Sequence, residues 1–390
     1  MWLLTYRPQQ ESESNDTAVT CRRRRIESFD VGVVGGGICG VSVAALLAVE
    51  GLRVALFEED VIAAAASGRN SGVIQRPFDP ALAALHGETM ELYRSLARDD
   101  ETFQLPDVPA GLLLISRDAA AVRAAADALS AAAPELSPQV LEPGLLQMVE
   151  PMLALDLAAC RLETGWPVAP ALATRAMAER ARRSGAVIRV GERVDAVVVE
   201  RNRTLGLSLS GGSDVNCERV VIAAGPWTPG LLPGWSDLAT IGSVWGVVAS
   251  LELPQRPSHV LEELGIDQPG QPPDELFSMV TVGRHSSVGS TFVAERPEPE
   301  ERAQRLLGRG AEFVPALAGT RLNGVRACAR PQSFDGRPFI GAAGGVAGLF
   351  VCAGHGPWGI STGPGSARRL VEIMMGRAAE DEAFTPSRVA

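Results

Sequence analysis

Three glycines near the start of the chain have the spacing of a phosphate-binding turn. Gly35, Gly37 and Gly40 form a Gly-x-Gly-x-x-Gly motif that follows a short apolar run at residues 31–34. The first glycine of such a motif permits a tight turn, the second lets the backbone approach a pyrophosphate, and the third lets a helix pack on a strand. The N-terminus of that helix adds N–H groups and a positive dipole that favour bound phosphate.

The elements around the motif predict a βαβ unit. Residues 31–34 indicate a buried strand, residues 38–50 a helix that ends at Gly51, and residues 52–57 a second strand. Glu58 follows eighteen residues after Gly40, where a carboxylate accepts hydrogen bonds from ribose hydroxyls and repels a 2′-phosphate. The unit therefore predicts a dinucleotide site and leaves open whether FAD or NAD binds there. The residues assigned to it are Gly35, Gly36, Gly37, Ile38, Cys39, Gly40, Glu58 and Glu59.

Four later stretches carry a resemblance to a known family. Residues 66–74 contain a Ser-x-x-Asn-x-Gly pattern, residues 191–194 read Gly-Glu-Arg-Val, and residues 220–227 contain an Ala-Ala-Gly turn. The most specific stretch has an RPxxxDGxPxIG pattern at residues 330–341, followed by GHGxxG at residues 354–359. From residue 29 to residue 376 the chain resembles the D-amino-acid oxidase-like (DAO) family of FAD-dependent oxidoreductases. That family includes glycine oxidase, sarcosine oxidase and D-amino-acid dehydrogenase.

The resemblance implies that the cofactor is FAD. In the family, the segment matching residues 66–74 runs under the isoalloxazine, the residue at Val194 contacts adenine through its backbone, and the Ala-Ala-Gly turn abuts the cofactor. A helix N-terminus after the GHGxxG loop would stabilise the negative charge that forms on the reduced flavin. The further FAD-binding residues implied are Ser67, Arg69, Asn70, Ser71, Gly72, Val73, Val194, Ala223, Ala224, Gly225, Trp227, Arg330, Gly354, His355, Gly356, Pro357, Trp358, Gly359, Ile360 and Ser361.

Arg330 and His355 are the predicted catalytic residues. In the glycine-oxidase-like branch, the arginine that matches Arg330 holds the substrate carboxylate, a role that suits a planar and permanently charged guanidinium. The alternative for Arg330 is a structural salt bridge, for example to Asp335, and Arg326 and Arg69 are the next candidates for the substrate contact. His355 either acts as a base or orients the flavin loop. We favour orientation, because an unpaired histidine gives no evidence of proton transfer.

Cys328 and the aromatic residues bear on which branch of the family the chain resembles. Cys328 matches the position at which sarcosine oxidases carry a cysteine thioether-linked to flavin. The surrounding segment otherwise resembles the non-covalent branch, so we expect a small buried cysteine and non-covalent FAD. D-amino-acid oxidases proper use tyrosines over the substrate, whereas this chain has only Tyr6 and Tyr93. Trp245 and Trp358 are candidates for an apolar pocket or for the core.

The order of the motifs predicts two domains, one of them discontinuous. The expected fold class is α/β, with a Rossmann-like FAD-binding domain that has a parallel sheet and a β-meander. A second, α+β substrate domain has a mixed or antiparallel sheet. The FAD-binding domain is assigned residues 29–95, 162–240 and 325–378, and the substrate domain residues 96–161 and 241–324. Residues 1–28 are predicted to be a disordered tail and residues 379–390 a second tail.

Local patterns predict the finer elements. Helices are expected at residues 119–133, with Asp118 as N-cap, and at residues 171–184. The strands at residues 187–190, 194–199 and 205–210 alternate in polarity and predict the meander. Residues 253–275 are rich in proline and acidic residues, which favours surface loops.

Composition excludes several classes of protein. The 390 residues are 46% hydrophobic and carry a net charge of −10, which suits a globular protein and disfavours nucleic acid as a partner. The arginine run at residues 22–25 is then better explained as a solvated arm than as a nucleic-acid or membrane patch. Apolar runs are too short to span a membrane, and we find no secretory signal. The six cysteines form no CxxC pair, so neither a disulfide framework nor a metal site is predicted, and we expect a cytoplasmic protein.

The favoured function is oxidation of a small amine or amino acid, such as a D-amino acid, glycine, or an N-methyl or imino acid. Hydride transfer to flavin N5 would give an imine that hydrolyses. One alternative is a 2-hydroxy-acid oxidoreductase, because Arg330 would serve either carboxylate. Another is a flavin-bearing subunit of a hetero-oligomeric dehydrogenase. The electron acceptor, O2 or another molecule, and the homo- or hetero-oligomeric state stay open.

Overall fold

The protein has a mixed α/β fold built on two large β-sheets. The computed structural model describes residues 27–235, 240–265, 274–343 and 345–389. Most of the predicted N-terminal tail, including the arginine run, lies outside these residues. Within the described part of the chain, no helix has the length and apolar character needed to cross a bilayer.

Four of the eight α-helices in the described residues begin with proline, whose fixed φ and missing N–H suit the first turn. Asp118 caps one helix as predicted, accepting hydrogen bonds from Ala120 and Ala121 N–H, and Asp79 caps another in the same way. The helices are α1 (Ile38–Val49), α2 (Ala66–Arg69), α3 (Pro80–Asp99), α4 (Ala119–Ala132), α5 (Pro143–Val149), α6 (Pro170–Arg183), α7 (Pro299–Ala311) and α8 (Gly359–Met374).

Most of the strands in the described residues are short and rich in valine, leucine and isoleucine. They are β1 (Ser28–Val34), β2 (Val54–Glu58), β3 (Val73–Ile74), β4 (Leu112–Ser116), β5 (Gln139–Leu141), β6 (Ala158–Leu162), β7 (Trp166–Pro167), β8 (Val187–Val190), β9 (Val194–Glu200), β10 (Arg203–Leu209), β11 (Asp214–Ile222), β12 (Ile241–Leu251), β13 (Val260–Glu263), β14 (Glu275–Val282), β15 (His285–Thr291), β16 (Gly324–Ser333), β17 (Phe339–Ala342) and β18 (Leu349–Ala353).

The first sheet has the strand order β17-β18-β11-β1-β2-β8. All neighbours in this path are parallel except β17 and β18. Because parallel strands end at one edge, the turn after β1, Glu58 at the end of β2 and the turn after β11 meet there. The sheet thus places three of the predicted motifs side by side.

The meander differs from the sequence prediction in one strand. It consists of β9, β10 and β11, which pair in antiparallel fashion. β8 was predicted to belong to it but instead pairs with β2 in parallel, Leu56 opposite Ile188. Alternation in polarity fixes the strand type but not the neighbour, because an edge strand of the parallel sheet also has one exposed face.

The second sheet has the order β16-β12-β15-β14-β13-β4-β6-β5. Every pair is antiparallel except β13 with β4. The longest pairing, between β12 and β16, sets Gly246 opposite Cys328 and Val244 opposite Arg330. Mixed pairing in this sheet and parallel pairing in the first confirm the predicted fold class.

The prediction of surface loops at residues 253–275 is wrong for part of that stretch. Residues 260–263 form β13, whose side chains are largely buried between β14 and β4. The proline and acidic residues on both sides hid a short Val-Leu run. Glu262 of this strand is 8% exposed, so the acidic composition did not indicate exposure.

Two segments depart from the predicted domain assignment. Residues 324–333 form β16, which pairs in the second sheet, although most of them were assigned to the FAD-binding domain. Residues 379–389 were expected to be a tail, yet Phe384 is 3% exposed and its carbonyl accepts a hydrogen bond from Ile340 N–H of β17. Arg388 also pairs with Asp335.

Helices α1, α3 and α8 pack closely because their interfaces carry glycine. A Cβ added at Gly363 of α8 would lie 3.0 Å from Cys39 Sγ, on α1. One added at Gly365 would lie 2.1 Å from the carbonyl oxygen of Leu85, on α3. These contacts fix the start of α8 against the start of α1, beside the edge at which the motifs meet.

Candidate active site

A cavity of about 2230 Å³ is lined by residues of both sheets. Every residue predicted to bind cofactor or substrate lines it, except Gly40, Gly72 and Gly354. At these three positions, close backbone packing or a left-handed backbone conformation requires glycine. Added Cβ atoms at Gly40 and Gly72 would lie 2.0 Å and 2.5 Å from the carbonyl oxygens of Gly35 and Val168, and Gly354 has a φ of +90°.

The turn between β1 and α1 is shaped for a close ligand. Gly35 has a φ of +110°, and a Cβ there would lie 2.5 Å from the Ala223 carbonyl oxygen. Gly37 precedes α1 and has no side chain with which to cap that helix. The first N–H groups of α1 therefore depend on other partners, and a phosphate is a favourable one.

Glu58 and Ser67 hold this turn in place. Gly36 N–H donates to Glu58 Oε2 at 2.6 Å, and Asp60 N–H donates to Glu58 Oε1 at 2.9 Å. Ile38 N–H donates to the Ser67 hydroxyl at 2.9 Å. Glu58 thus braces the glycine turn from the cavity wall.

The segment predicted to lie under the ring system forms one helical turn, α2, followed by a tight loop. The Asn70 side chain donates to the carbonyls of Ala66 and Ser67 and accepts from Gly72 N–H. This amide therefore fixes the loop from within. The small side chains along it leave the backbone open to the cavity.

Arg330 is held in the cavity wall by neutral groups. Its Nη1 donates to the Thr291 carbonyl at 2.7 Å, and its Nη2 lies 3.2 Å from the Ser290 hydroxyl. The guanidinium also lies over the Phe292 ring, 4.8 Å from its centroid. A Cβ at Gly246 would lie 2.3 Å from Nη2, so glycine in β12 makes the room that this side chain occupies.

The predicted alternative for Arg330, a salt bridge to Asp335, is not formed. Asp335 pairs with Arg388 at 2.8 Å. Among the described residues, no carboxylate lies within 4.0 Å of the Arg330 guanidinium. Burial lowers the pKa of Arg330, because desolvation disfavours its charge. This cavity-lining cation therefore lacks an anion from the described part of the chain.

Arg326 and Arg69 line the same cavity. Arg326 donates to the hydroxyls of Ser250 and Ser287 and to the Asn70 carbonyl, while its Nε is buried without a partner in the described structure. Arg69 lies 3.4 Å from the Ala327 carbonyl oxygen. Both help to make this wall positive.

Cys328 lies between Arg326 and Arg330 on the same face of β16 and is 6% exposed. Burial raises the pKa of its thiol, although the nearby arginines oppose that shift. The protonated thiol is the less nucleophilic form.

His355 and Cys39 meet at the start of α8. The His355 ring is 2% exposed, with Nε2 2.9 Å from the Ser366 hydroxyl and Nδ1 3.6 Å from Cys39 Sγ. A hydrogen bond from the Cys352 thiol and the charge of His355 hold the pKa of Cys39 well below its usual range, although burial opposes the shift. Cys352, which donates to Cys39 and is buried, has a raised pKa. No local pattern indicated this cluster, since Cys39 is 313 residues from Cys352.

Other cavity residues also escaped the sequence analysis. Gln75 Nε2 donates to Glu262 Oε2 at 3.2 Å, and both side chains line the cavity. Arg296 lies over the Trp245 ring at 5.7 Å, and both residues line it as well. Trp245 and Trp358 were both predicted as candidates for an apolar pocket or for the core, and both line the cavity. The one local signal for β13, the strand that places Glu262 on the cavity wall, is the Val-Leu pair before this glutamate.

Tyr93 does not line the cavity. Its hydroxyl donates to the Ile360 carbonyl at 3.0 Å, and its ring is fully buried. The tyrosine therefore supports the start of α8 from behind. Tyr6 lies outside the described residues.

Comparison with known proteins agrees with this geometry. A model of the DAO family, FAD-dependent oxidoreductases, matches residues 30–373. The chain belongs to this family. The DAO-family assignment confirms the predicted enzyme class and the predicted dependence on FAD.

A glycine oxidase relative and a solved glycine oxidase structure cover most of this chain, whereas a D-amino acid dehydrogenase relative covers about half of it. Glycine oxidase of Pseudomonas aeruginosa is 26% identical over 88% of this chain and 94% of its own. D-amino acid dehydrogenase of Xanthobacter autotrophicus is 29% identical over 53% of this chain and 48% of its own. The crystal structure of glycine oxidase from Bacillus cereus superposes with a TM-score of 0.79 at 24% identity, covering 91% of this chain and 99% of that chain.

The cavity of this DAO-family chain fits FAD. The glycine turn has no space for side chains, the adjoining helix has a glycine at its N-cap, and Glu58 lies beside both. The cavity continues from this edge to the strands β12 and β16 of the second sheet. It therefore offers a dinucleotide cradle at one end and a positively charged wall at the other.

Proposed function

We propose that this protein oxidises a small amine or amino acid at the carbon bearing nitrogen, giving an imine that hydrolyses. The observation that carries the proposal is Arg330, a cavity-lining guanidinium without a carboxylate partner among the described residues. A substrate carboxylate would supply the missing anion through a two-pronged hydrogen bond. Relatives named glycine oxidase and D-amino acid dehydrogenase support the same substrate class.

The first sheet would hold FAD and the second would cover the substrate. The turn at residues 35–40 and the start of α1 would hold the pyrophosphate, and Glu58 the ribose. Residues 66–73, Val194 and the turn at residues 223–227 would line the rest of the cofactor, with the start of α8 beside the flavin. When bound, FAD supplies a two-electron acceptor that takes a hydride from the substrate carbon.

The protein's own residues would position the substrate and exclude water. Arg330 would fix the carboxylate, so the neighbouring C–H bond takes one orientation relative to the cavity floor, which lowers the entropic cost of reaction. Phe292 and Trp245, both cavity residues, would replace water around the reacting carbon. His355 would hold the loop before α8, since its Nε2 lies 2.9 Å from the Ser366 hydroxyl and its ring lies against Cys39 Sγ.

An anaerobic spectroscopic assay tests the proposal. The FAD-loaded protein is mixed with pools of D-amino acids, glycine, N-methyl amino acids and cyclic imino acids, and separately with 2-hydroxy acids. We expect one amine pool to bleach the oxidised flavin absorption. Imine hydrolysis should then release ammonia or a primary amine, or, for a cyclic imino acid, give a ring-opened amino oxo acid. Bleaching by 2-hydroxy acids alone would replace the amine with a hydroxy acid. Absence of bleaching by any pool would contradict independent turnover and point to a partner-dependent subunit.

A further inference from the structure

Three metal-ligating side chains meet at the wall of the cavity, although they lie far apart in the sequence. Cys39 is in the first turn of α1, Cys352 is on β18, and His355 follows that strand. Their Sγ and imidazole nitrogen atoms all lie within 4.8 Å of one another. Cys352 and His355 are buried, while Cys39 is partly exposed to the cavity that all three line.

A hydrogen-bond chain fixes which nitrogen of His355 is available. The Ser366 hydroxyl donates its single proton to the Thr362 carbonyl at 3.0 Å. Its oxygen must therefore accept from His355 Nε2–H, 2.9 Å away. This tautomer leaves the Nδ1 lone pair free of a proton. Nδ1 and Nε2 lie 3.6 Å and 3.8 Å from Cys39 Sγ, so a rotation of the imidazole turns this lone pair toward an ion bound beside Cys39. A polar group on the second ring nitrogen is the usual support of a histidine that binds metal.

We propose that Cys39, Cys352 and His355 bind a thiophilic divalent ion of the zinc class. Zinc bonds of about 2.3 Å to sulfur and about 2.05 Å to nitrogen, set at a tetrahedral angle, separate S and N by roughly 3.6 Å. The Cys39–His355 separation matches this value. Ligand atoms no more than 4.8 Å apart reach such an arrangement through side-chain movements of about 1 Å.

Binding of the ion replaces the thiol protons with metal–ligand bonds. Two Zn–S bonds and one Zn–N bond form, and the protons still held by the two thiols pass to solvent. The two thiolates neutralise the ion's charge. The fourth position faces the cavity and would hold water or a ligand from it. The site would join α1, β18 and the loop between β18 and α8 at the cofactor edge, independently of the substrate that the enzyme oxidises.

The test measures Zn²⁺ bound to the purified full-length protein after equilibrium dialysis, with Co²⁺ as a spectroscopic probe of thiolate coordination. We expect one Zn²⁺ per chain and a thiolate-to-Co²⁺ charge-transfer band in the wild type. Cys352→Ser should lose both. Cys328→Ser is the matched control, because Cys328 also lines the cavity but lies among arginines, and it should bind like the wild type.

A second variant separates metal binding from folding. Ser366→Ala removes the acceptor that orients His355 and should weaken Zn²⁺ binding by about 10- to 100-fold in competition with a chelator. Far-ultraviolet circular dichroism of each variant checks its fold. Failure of the wild type to retain stoichiometric Zn²⁺, or equal binding by a folded Cys352→Ser variant, would overturn the proposal. Co²⁺ bound without a thiolate band would overturn it as well.

Discussion

Replacing Arg330 tests the proposed substrate contact most directly. The guanidinium lines the cavity and donates to the Thr291 carbonyl and to the Ser290 hydroxyl, without a carboxylate partner in the described structure. Arg330→Ala would remove the charge and the paired donors that a substrate carboxylate needs. We expect FAD to stay bound and turnover of the amino-acid substrate to fall.

The size of the effect follows from the lost hydrogen bonds. Each hydrogen bond to a charged group contributes about 1.5–3 kcal/mol, so loss of a two-pronged contact costs about 3–6 kcal/mol. That corresponds to a fall in kcat/KM of roughly 10²- to 10⁴-fold. Arg330→Lys keeps the charge but not the planar fork, and it should fall between the wild type and Arg330→Ala.

The assay is steady-state kinetics on the substrate that the anaerobic assay identifies. Arg296→Ala is the matched control, since Arg296 also lines the cavity without a carboxylate partner in the described structure but is exposed and contacts the face of Trp245. We expect its kcat/KM to change by less than about threefold, because exposed charges contribute little. Equal kinetics for Arg330→Ala and the wild type would refute the assignment of the carboxylate contact to Arg330.

Stability measurements distinguish a binding role from a structural one. Breaking a buried salt bridge costs about 3–5 kcal/mol, whereas Arg330 has no such bridge within the described residues and its charge is disfavoured by burial. Arg330→Met should therefore leave the free energy of unfolding of the substrate-free protein within about 1 kcal/mol of the wild type. A loss of several kcal/mol in urea unfolding would show that the arginine holds the fold.

Three further predictions concern the cofactor and the core. Gly40→Ala would place a methyl group 2.0 Å from the Gly35 carbonyl oxygen, so the purified variant should lose its flavin absorption. Gly87→Ala on α3 meets nothing within 4 Å and should keep flavin and gain about 0.5–1 kcal/mol. Acid precipitation should leave flavin in the supernatant, because burial keeps the Cys328 thiol protonated; colour in the pellet would show a covalent link. Burial lowers the pKa of His86 to about 4, so the unfolded chain binds its proton more tightly and stability falls as pH drops from about 6.5 toward 4. Unfolding free energies should fall by about 2 kcal/mol between pH 7 and pH 5 through this group, and His86→Leu should remove that part of the slope; an unchanged slope would contradict the assignment.

Local signals were sufficient for the elements of the first sheet. The glycine turn, the apolar strands on either side of it and the small-residue helix each follow from residues within about thirty positions of one another. The predicted helices at residues 38–50, 119–133 and 171–184 appear with ends shifted by one residue or so. Strand partners were harder to predict from the sequence, because β8 and β9 have similar polarity patterns but pair with different neighbours.

The sequence predicted which residues belong to the candidate site better than it predicted the partners that those residues contact. The family resemblance named Arg330, His355 and Cys328, yet it left Arg330 between a substrate contact and a salt bridge. The salt bridge required Asp335, but Asp335 pairs instead with Arg388, from a segment expected to be a tail. No local pattern connects residues 53 positions apart.

The sequence by itself determined the dinucleotide-binding unit, because a glycine turn and its supporting strands are short-range features whose residue types are dictated by backbone geometry. The class of enzyme and the choice of FAD came from the family resemblance of the later motifs. Tertiary structure decided what depends on distant segments. It placed Glu262 on the cavity wall, left Arg330 without a carboxylate in the described part of the chain, and joined Cys39 to Cys352 and His355. Such contacts form only when separate strands and helices pack, so their chemistry cannot be predicted from any one stretch of the chain.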